Sequence, residues 1–498
     1  MDKTSLSESK SSSQQQDGII SPPGKNTETT NRPQDVSKVI KFHPSDPENP
    51  RNWPLWRKRL AWIPIIPLDL LVSFGASGYS PATEPFTETW GVSTTIGVLG
   101  LSLYTLALGI GPLFNGPASE YFGRKWIYII SYGLALPFFV SSALAPNLAC
   151  FFISRFLCGF FQSVTVATLG GTIAALYVHH ETGYAMSIYL WAATGGSSMG
   201  YMMMAFVAQY RSWVEVFCAL LGISGGYYLL LIPMILYVGE TRHSVILRKR
   251  AAKIRKETGD ESINVAEEHR RKGFWEILKV TQTRPFRFLF AEPVVQFCAL
   301  YNGYLYGISF LFNGAFNLVF GKMGHGLDVL QVGLCFLGIL GGITIGPISN
   351  IFQEKFYQRR RLQADGKNIP EARLRMGQIA GVTFPIALFW SAWTTYTSIH
   401  PAVPVVASAL WGWSFYTLIL MTYQYTEDAY KQYSASALAG LGLIRNVAGG
   451  GFPLFGNQMF ENLGYQWAAS VLAFLALVMI PIPFVLSRYG ERLRRRSP

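Results

Sequence analysis

Twelve long apolar stretches alternate with blocks of charged residues along the 498-residue chain. Each stretch can form a helix long enough to cross a bilayer core of roughly 30 Å. Because backbone polar groups in lipid must pair within the chain, helices are the expected structure. The pattern predicts an all-α membrane protein with twelve transmembrane helices, at residues 61–80, 93–115, 126–144, 149–177, 184–207, 216–238, 288–320, 329–352, 376–398, 402–423, 434–456 and 467–486.

The basic residues give these helices an orientation. The chain has 42 Lys and Arg against 29 Asp and Glu, a net charge of +13. With a cytoplasmic N-terminus, 38 of the basic residues face the cytoplasm, whereas only Arg211 and Lys322 face outside. Cytoplasmic loops of membrane proteins are enriched in Lys and Arg, so both termini are expected in the cytoplasm. The basicity then requires no nucleic acid partner.

Polar segments divide the chain into parts. Residues 1–60 are rich in Ser, Gln and Thr and predict a disordered cytoplasmic tail. A six-helix half at 61–238 is followed by a charged cytoplasmic linker at 239–287, in which surface helices can form. A second six-helix half covers 288–486, and a basic tail covers 487–498. The five cysteines form no CxxC pair, so neither disulfides nor a metal site is expected.

The two halves contain a repeated segment. GPASEYFGRK, from Gly116 to Lys125, follows the second apolar stretch, and GPISNIFQEK, from Gly346 to Lys355, follows the eighth. Five of the ten positions match, and both copies occupy the same place in their half. Parallel six-helix halves with a site between them at the midplane are typical of secondary transporters.

These motifs resemble those of the major facilitator superfamily. The first repeat looks like its loop 2–3 signature, with Glu120 in place of the usual Asp, and Arg155 to Gly159 resembles the RxxxG core of its second signature. Residues 240–260, 284–293, 370–374 and 449–456 resemble the fungal twelve-span drug:proton antiporters. The fifth stretch departs from the antiporter signature GPxxGPxxGG, since Gly196 to Ala205 keeps only the two leading glycines. This departure weakens a prediction of strict antiport.

The resemblance implies a latch that holds the cytoplasmic ends of the two halves together. In the first copy, Glu120 is expected to pair with Arg124, beside Lys125. Gly116 and Gly123 are expected to allow tight turns. The second copy has Asn350 at the acidic position, so the two latches are expected to differ. Arg445 in the eleventh helix is implied to belong to the conformational machinery, and its candidate partners are Glu292, Glu427 and Asp428.

Asp69 is the one acidic residue near the middle of a predicted helix, and Ser73, Ser77 and Ser80 extend its polar stripe. Arg155 shares a stripe with Gln162 on the fourth helix. One hypothesis is that Asp69 carries a coupling proton or binds a cationic substrate, with Arg155 adjusting its proton affinity. The alternative is a structural Asp69–Arg155 ion pair without a coupling role.

The seventh helix predicts a cavity-lining face. Asn302, Tyr306, Ser309, Asn313 and Asn317 share one stripe of this otherwise apolar helix. Interhelical hydrogen bonding is the alternative, but five polar residues exceed what packing requires. Tyr and Trp residues of the seventh and tenth helices can contact flat or cationic organic molecules.

No GxxxxGK[ST] segment, zinc-binding HExxH motif or dinucleotide fingerprint is present, so the sequence predicts neither an ATP-driven pump nor an enzyme, and no cofactor. An ion gradient remains as the energy source. The leading hypothesis is proton-coupled efflux of amphiphilic organic compounds: drugs, toxins, secondary metabolites or polyamines. Alternatives are a proton symporter or facilitative importer, and a nutrient receptor that does not transport. We expect a monomer in the lipid bilayer of the plasma membrane, or else of the vacuole.

Overall fold

A computed structural model describes residues 38–178, 181–260, 262–265, 274–322, 324–430 and 433–495. Expectations for residues 1–37, 266–273 and 496–498 lie outside these ranges. In chain order the described α-helices are α1 (Leu55–Trp62), α2 (Ile65–Ser77), α3 (Thr83–Trp90), α4 (Thr94–Ile110), α5 (Pro112–Phe122), α6 (Arg124–Ala143), α7 (Leu148–Gln162), α8 (Val164–Leu176), α9 (Thr182–Tyr210), α10 (Trp213–Val238), α11 (His243–Thr258), α12 (Phe274–Ala291), α13 (Pro293–Phe320), α14 (Val329–Gln363), α15 (Arg375–Trp393), α16 (Ala402–Tyr430), α17 (Ser434–Leu463), α18 (Tyr465–Met479) and α19 (Pro481–Arg495). Short 3-10 helices cover Pro50–Asn52, Ser80–Ala82 and Pro370–Leu374.

These helices build the twelve predicted spans. Four spans are interrupted, and in three of them a proline lies at the interruption, because it cannot donate the backbone hydrogen bond there. The interrupted spans are α1 with α2, α4 with α5, α7 with α8, and α18 with α19. Within the described residues, nine continuous helical stretches are long and apolar enough to cross a membrane on composition alone. The other three spans, α9, α15 and α17, are less apolar, and α9 packs between α2 and α14.

Several ends differ from the predicted ones. The seventh span begins at Pro293 instead of residue 288, because α12 ends at Ala291 and Pro293 starts a new helix. The eighth span continues to Gln363 and the tenth to Tyr430, since a helix can extend into water beyond its apolar part. Hydropathy reports where the apolar part ends, which is not where the hydrogen-bonded helix ends.

The last third of the predicted disordered tail is ordered, which corrects the prediction for residues 38–60. Strand β1 (Lys38–Ile40) pairs in parallel with strand β2 (Ile263–Val265) of the linker. Asp46 is buried and forms an ion pair with Arg250 of α11, and Asn49 contacts His243 at 3.2 Å. This N-terminal stretch is fixed by specific polar partners in the linker, which composition alone does not reveal.

Helices α1–α10 form the first half and α13–α19 the second, and α9 packs on α14 while α4 packs on α17 between them. We call the end of the bundle where α11 and α12 contact α5 the linker end; α9 begins there. The halves touch at this end, where Gln424 donates to the carbonyl of Gly183 at 3.2 Å. They also touch toward the opposite end, where the rings of Tyr201 and Phe336 stack with centroids 4.2 Å apart. The two halves are therefore in contact at both ends of their junction.

Candidate functional site

Asp69 lies on α2 in the centre of the bundle, with 1% of its surface exposed. One carboxylate oxygen, Oδ1, accepts a hydrogen bond from the Thr165 hydroxyl at 2.6 Å. The other oxygen, Oδ2, has no hydrogen-bond partner among the described residues. A buried carboxylate with a free oxygen is able to bind a proton or a ligand, since an unpartnered buried polar group is costly.

Arg155 does not pair with Asp69, which corrects both the expected pKa coupling and the alternative ion pair. Its guanidinium donates to the carbonyls of Gly75 at 2.8 Å and Gly100 at 3.1 Å, and so joins α7 to α2 and α4. Arg155 and Thr165 are separated by ten residues, or roughly 15 Å along a helix. The helical angles suggested a shared face, but depth along the axis separates Arg155 from Asp69.

Gln162 also lies inside the first half. Its side chain contacts the hydroxyl of Tyr104, which in turn donates to the carbonyl of Val72 at 2.8 Å. These contacts connect α7, α4 and α2. Gln162 thus takes part in packing within one half instead of lining the junction between the halves.

Arg445 of α17 is a buried cation of the second half whose field reaches Asp69 in the first half. Its guanidinium carbon lies 4.4 Å from the ring centre of Tyr306 and 5.6 Å from that of Tyr423. Within the described part of the chain, Nε and Nη1 have no hydrogen-bond partner. Asp69 belongs to the first half and Arg445 to the second, so their attraction crosses the junction.

None of the three predicted partners pairs with Arg445. Glu292 accepts a hydrogen bond from the Tyr430 hydroxyl at 3.2 Å, and Asp428 forms an ion pair with another arginine, Arg373. Glu427 is bound to the hydroxyl of Thr182. These acids lie too far toward the linker end, whereas Arg445 is held by the faces of two tyrosine rings.

The polar stripe of the seventh span, α13, serves several purposes. Asn302 donates to Thr422 at 2.7 Å within the second half, and the Tyr306 hydroxyl donates to the Ala193 carbonyl of the first half at 3.1 Å. Asn313 is buried, and neither atom of its amide has a partner in the described ranges. Ser309 is half-buried and Asn317 is exposed. Only part of the stripe therefore faces the junction.

Aromatic rings surround this centre. Trp411 and Phe415 of α16 stack with centroids 4.9 Å apart and planes 9° from parallel. Phe415 and Phe310 both lie within 6 Å of the Tyr306 ring. The arrangement places aromatic rings beside one carboxylate, one guanidinium and free amide groups, which are the kinds of side chain that bind amphiphilic organic molecules.

The first copy of the repeat forms a latch with different partners from those expected. Glu120 faces Arg242 at 3.6 Å, not Arg124. The backbone N–H groups of Arg124 and Lys125 donate to the Glu240 carboxylate at 3.1 and 3.3 Å. Glu240 and Arg242 follow the sixth span in the segment GETR, which the sequence places in the linker and, from residue 240, in a stretch that resembles the fungal antiporters, with no role in the latch.

The two glycines of this copy have different surroundings. Gly116 lies inside α5 and makes no turn, which corrects its predicted role. Gly123 separates α5 from α6 with φ of 98°, a conformation that favours glycine.

The second copy forms a buried ion cluster. Arg373 is 1% exposed and donates through Nε to Asp428 at 2.9 Å and through Nη1 to Glu354. Asn350 lacks the acid of the first copy, but Glu354 provides a carboxylate one helical turn later. A spacing of four residues keeps a side chain on the same helix face, and this signal was available in the sequence.

Contacts between the halves close the linker end. We call this set of contacts, between the start of α9 and helices α14 and α16, the gate. The Tyr416 hydroxyl donates to the carbonyl of Ser187 at 2.8 Å, and Gln424 contacts Gly183. A Cβ atom on Gly183 would lie 2.7 Å from Cδ of Glu354, so glycine allows α9 to approach the ion cluster closely. Opening this end requires the start of α9 to separate from α14 and α16.

Comparisons with known proteins assign the chain to a family. The sequence profile of the Major Facilitator Superfamily matches residues 66–453. Major facilitator-type transporter sorT of Penicillium rubens is 34% identical over 469 residues, covering 92% of this chain and 88% of its own length. Efflux pump FUBT of Fusarium oxysporum is 32% identical, with 92% of this chain and 77% of that protein covered.

A multidrug transporter, mdrA of Aspergillus fumigatus, is 33% identical over 96% of this chain and 78% of its own length. Among solved structures, the proton:xylose symporter XylE bound to 6-bromo-6-deoxy-D-glucose aligns with a TM-score of 0.63. It covers 88% of this chain and 96% of its own, at 15% identity, which is a likeness of fold alone. The chain belongs to the Major Facilitator Superfamily, with twelve transmembrane helices in two six-helix halves.

Proposed function

We propose that this chain exports amphiphilic organic compounds in exchange for protons, by alternating access. The similarity to proteins named efflux pump and multidrug transporter extends over more than nine-tenths of the chain and supports export. The proposed function is transport without chemical conversion of the cargo.

The observation that carries the proposal is that Asp69 in the first half and Arg445 in the second half are both buried and lie within each other's electrostatic field. When Asp69 is ionised, it attracts Arg445 and favours close approach of the two halves at the centre. Protonation removes this attraction while Arg445 keeps its charge. One proton thus changes the force between the two rigid bodies that must rock against each other.

The surrounding side chains support this class of cargo. Trp411, Phe415 and Tyr306 provide aromatic surface, and the Asn313 amide can donate and accept hydrogen bonds. Apolar walls with a few polar groups bind molecules that combine a flat apolar body with a polar end. Drugs, toxins, secondary metabolites and polyamines with apolar parts meet this description.

We also propose the binding partners, the oligomeric state and the membrane orientation of the protein. Its binding partners are a small organic cargo, protons and the lipid bilayer, and it acts as a monomer. Both termini and the linker end face the cytoplasm of a cell whose plasma membrane holds the protein. Impermeant labelling of cysteines placed at Lys253 and near the C-terminus tests this topology: label reaching either position from outside intact cells contradicts it.

The central experiment is transport in proteoliposomes with an imposed pH gradient, screened over polyamines, azoles and fungal metabolites. Export predicts that cargo moves against its own gradient only while protons move in the opposite direction. The variant Asp69→Asn is expected to exchange cargo down its gradient but not to concentrate it. Glu88→Gln, at an exposed carboxylate far from the centre, is the matched control.

Other outcomes separate the competing functions. Cargo that moves together with protons establishes symport, and binding without movement establishes a receptor; each contradicts the proposal. An Asp69→Asn protein that still concentrates cargo removes Asp69 from proton coupling but leaves export possible through another residue.

A further inference from the structure

Glu427 joins the two halves at the gate, one turn beyond Gln424 on α16. The face of α16 that meets α9 contains Tyr416, Gln424 and Glu427, at a spacing that keeps them on one side of a helix. Glu427 is 4% exposed, and its carboxylate is hydrogen-bonded to Thr182, the first residue of α9. The contact therefore spans the interface that must separate when the gate opens.

The ionic surroundings of Glu427 are unbalanced. Among the described residues, three carboxylates, those of Glu354, Asp428 and Glu427, are buried here beside one guanidinium, that of Arg373. Arg373 donates Nη1 to Glu354 and Nε to Asp428, and no ion pair joins it to Glu427 within the described residues. A buried carboxylate without a cationic partner favours its neutral, protonated form.

The other described groups nearby do not supply the missing positive charge. Glu292 contacts Tyr430 one turn further along α16, and Tyr425 faces Arg494, which pairs with Glu371 at 2.7 Å. The positive end of the α9 dipole favours an anion. The N-terminal end of α9 also contacts the Glu354 carboxylate at Gly183, so its stabilising effect on an anion is divided between Glu354 and Glu427. His179 and His180 precede α9 and Lys431 follows α16, and all three lie outside the described residues.

We propose that Glu427 holds a proton while the gate is closed and releases it to water at the linker end when the gate opens. Opening separates α9 from α16, admits water to the carboxylate and lets it ionise. By linkage, protons bind more tightly to the closed form, so acid on this side keeps the gate closed and rising pH favours opening. This sensor is separate from Asp69 and rests on alternating access alone, whatever the cargo and its direction.

The test measures the gate directly by electron spin resonance distances. Spin labels are attached to cysteines at Glu181 and Arg359, which are exposed on opposite sides of the gate, after removal of the five natural cysteines. The protein is studied in lipid nanodiscs from about pH 5.5 to about pH 8.5. An Asp69→Asn background prevents the central carboxylate from contributing to the pH response.

With Glu427 present, the ratio of open to closed protein is expected to rise with pH by up to about tenfold per unit. Glu427→Gln cannot ionise and is expected to remain closed with no pH dependence. The control Glu371→Gln, in the neighbouring ion pair, should keep the full pH response. Thr182→Val removes the bond across the gate and should raise the open fraction at acid pH.

Three results overturn the proposal. The first is a flat pH profile with Glu427 present. The second is an unchanged profile in the Glu427→Gln protein, which would assign the response to other groups such as His179 and His180. The third is a Thr182→Val protein with the same open fraction as its parent. Failure here leaves the transport proposal intact, because cargo movement is measured separately.

Discussion

The guanidinium of Arg445 lies 4.4 Å from the ring centre of Tyr306, and the hydroxyl of the same tyrosine donates to Ala193 in the opposite half. Tyr306 therefore has two roles in one side chain. Its ring holds a buried cation that has no ion-pair partner within the described residues, and its hydroxyl bonds across the junction.

These two roles can be separated by mutation. Tyr306→Phe keeps the ring and loses one neutral hydrogen bond, so we expect transport to fall by about fivefold, equivalent to about 1 kcal/mol. Tyr306→Leu also removes the cation–π contact, and the loss should be on the order of a hundredfold. Initial rates in proteoliposomes measure both. Equal losses in the two variants would show that the ring does not matter.

Asn313 is expected to lower the stability of the fold and to contribute to cargo binding. Its buried amide has no partner in the part of the chain that the structure describes, so Asn313→Leu should stabilise the fold by about 1–3 kcal/mol. The same change should weaken cargo binding, because a donor and an acceptor are lost. Thermal unfolding and equilibrium binding of a transported compound measure the two effects. A variant that is less stable than its parent would indicate that the amide has a native partner.

The ion cluster around Arg373 should dominate stability at the linker end. Arg373→Gln leaves Glu354 and Asp428 buried without their cation, which is expected to cost about 3–5 kcal/mol. Lys253→Gln breaks an exposed pair with Glu257 and should cost at most about 1 kcal/mol. Thermal unfolding in detergent, followed by tryptophan fluorescence, compares them. Similar losses would mean that the cluster is hydrated.

The contact between the N-terminal stretch and α11 should depend on pH through His243. Burial, followed by the charges of Arg51, Arg124 and Arg242, lowers the pKa of His243 to about 4. The free side chain has a pKa near 6.5, so the detached state binds the proton more readily between these values. The docked state is therefore fully stable above about pH 6.5 and loses stability as the pH falls toward about 4.

Hydrogen exchange of residues 41–53 measures this docking. Protection should decrease over that pH window in the parent protein. His243→Gln keeps a donor for Asn49 but does not titrate, so its protection should stay constant. A parent protein whose protection is independent of pH would contradict the lowered pKa.

Sequence patterns predicted the twelve spans because a bilayer imposes one strong requirement, about 20 apolar residues in each helix. They also selected Asp69, Tyr306 and Arg445 as candidate site residues, since polar groups within an apolar span are energetically costly. They failed to pair these residues. Helical angles do not give relative depth, so Arg155 was matched to Asp69, whereas Thr165 and the field of Arg445 reach that carboxylate.

The gate was difficult to predict for a different reason. Arg373 lies in PEARL, a segment noticed only for its resemblance to a family, and its partners come from α14 and α16. Contacts that join distant segments depend on tertiary packing, and the residue pattern of a single sequence does not predict which distant residues will pair. Ordering of residues 38–60 by the linker was missed for the same reason.

The two copies of the decapeptide repeat have diverged to opposite charge at their ninth position, with Arg124 in one and Glu354 in the other. The halves are consequently not interchangeable parts. Grafting GPASEYFGRK onto residues 346–355 would set a second guanidinium against Arg373 in a compartment sealed from solvent. The two halves therefore differ in the charge at this position, and repulsion between the two guanidinium groups would prevent such a chimera from closing its linker end.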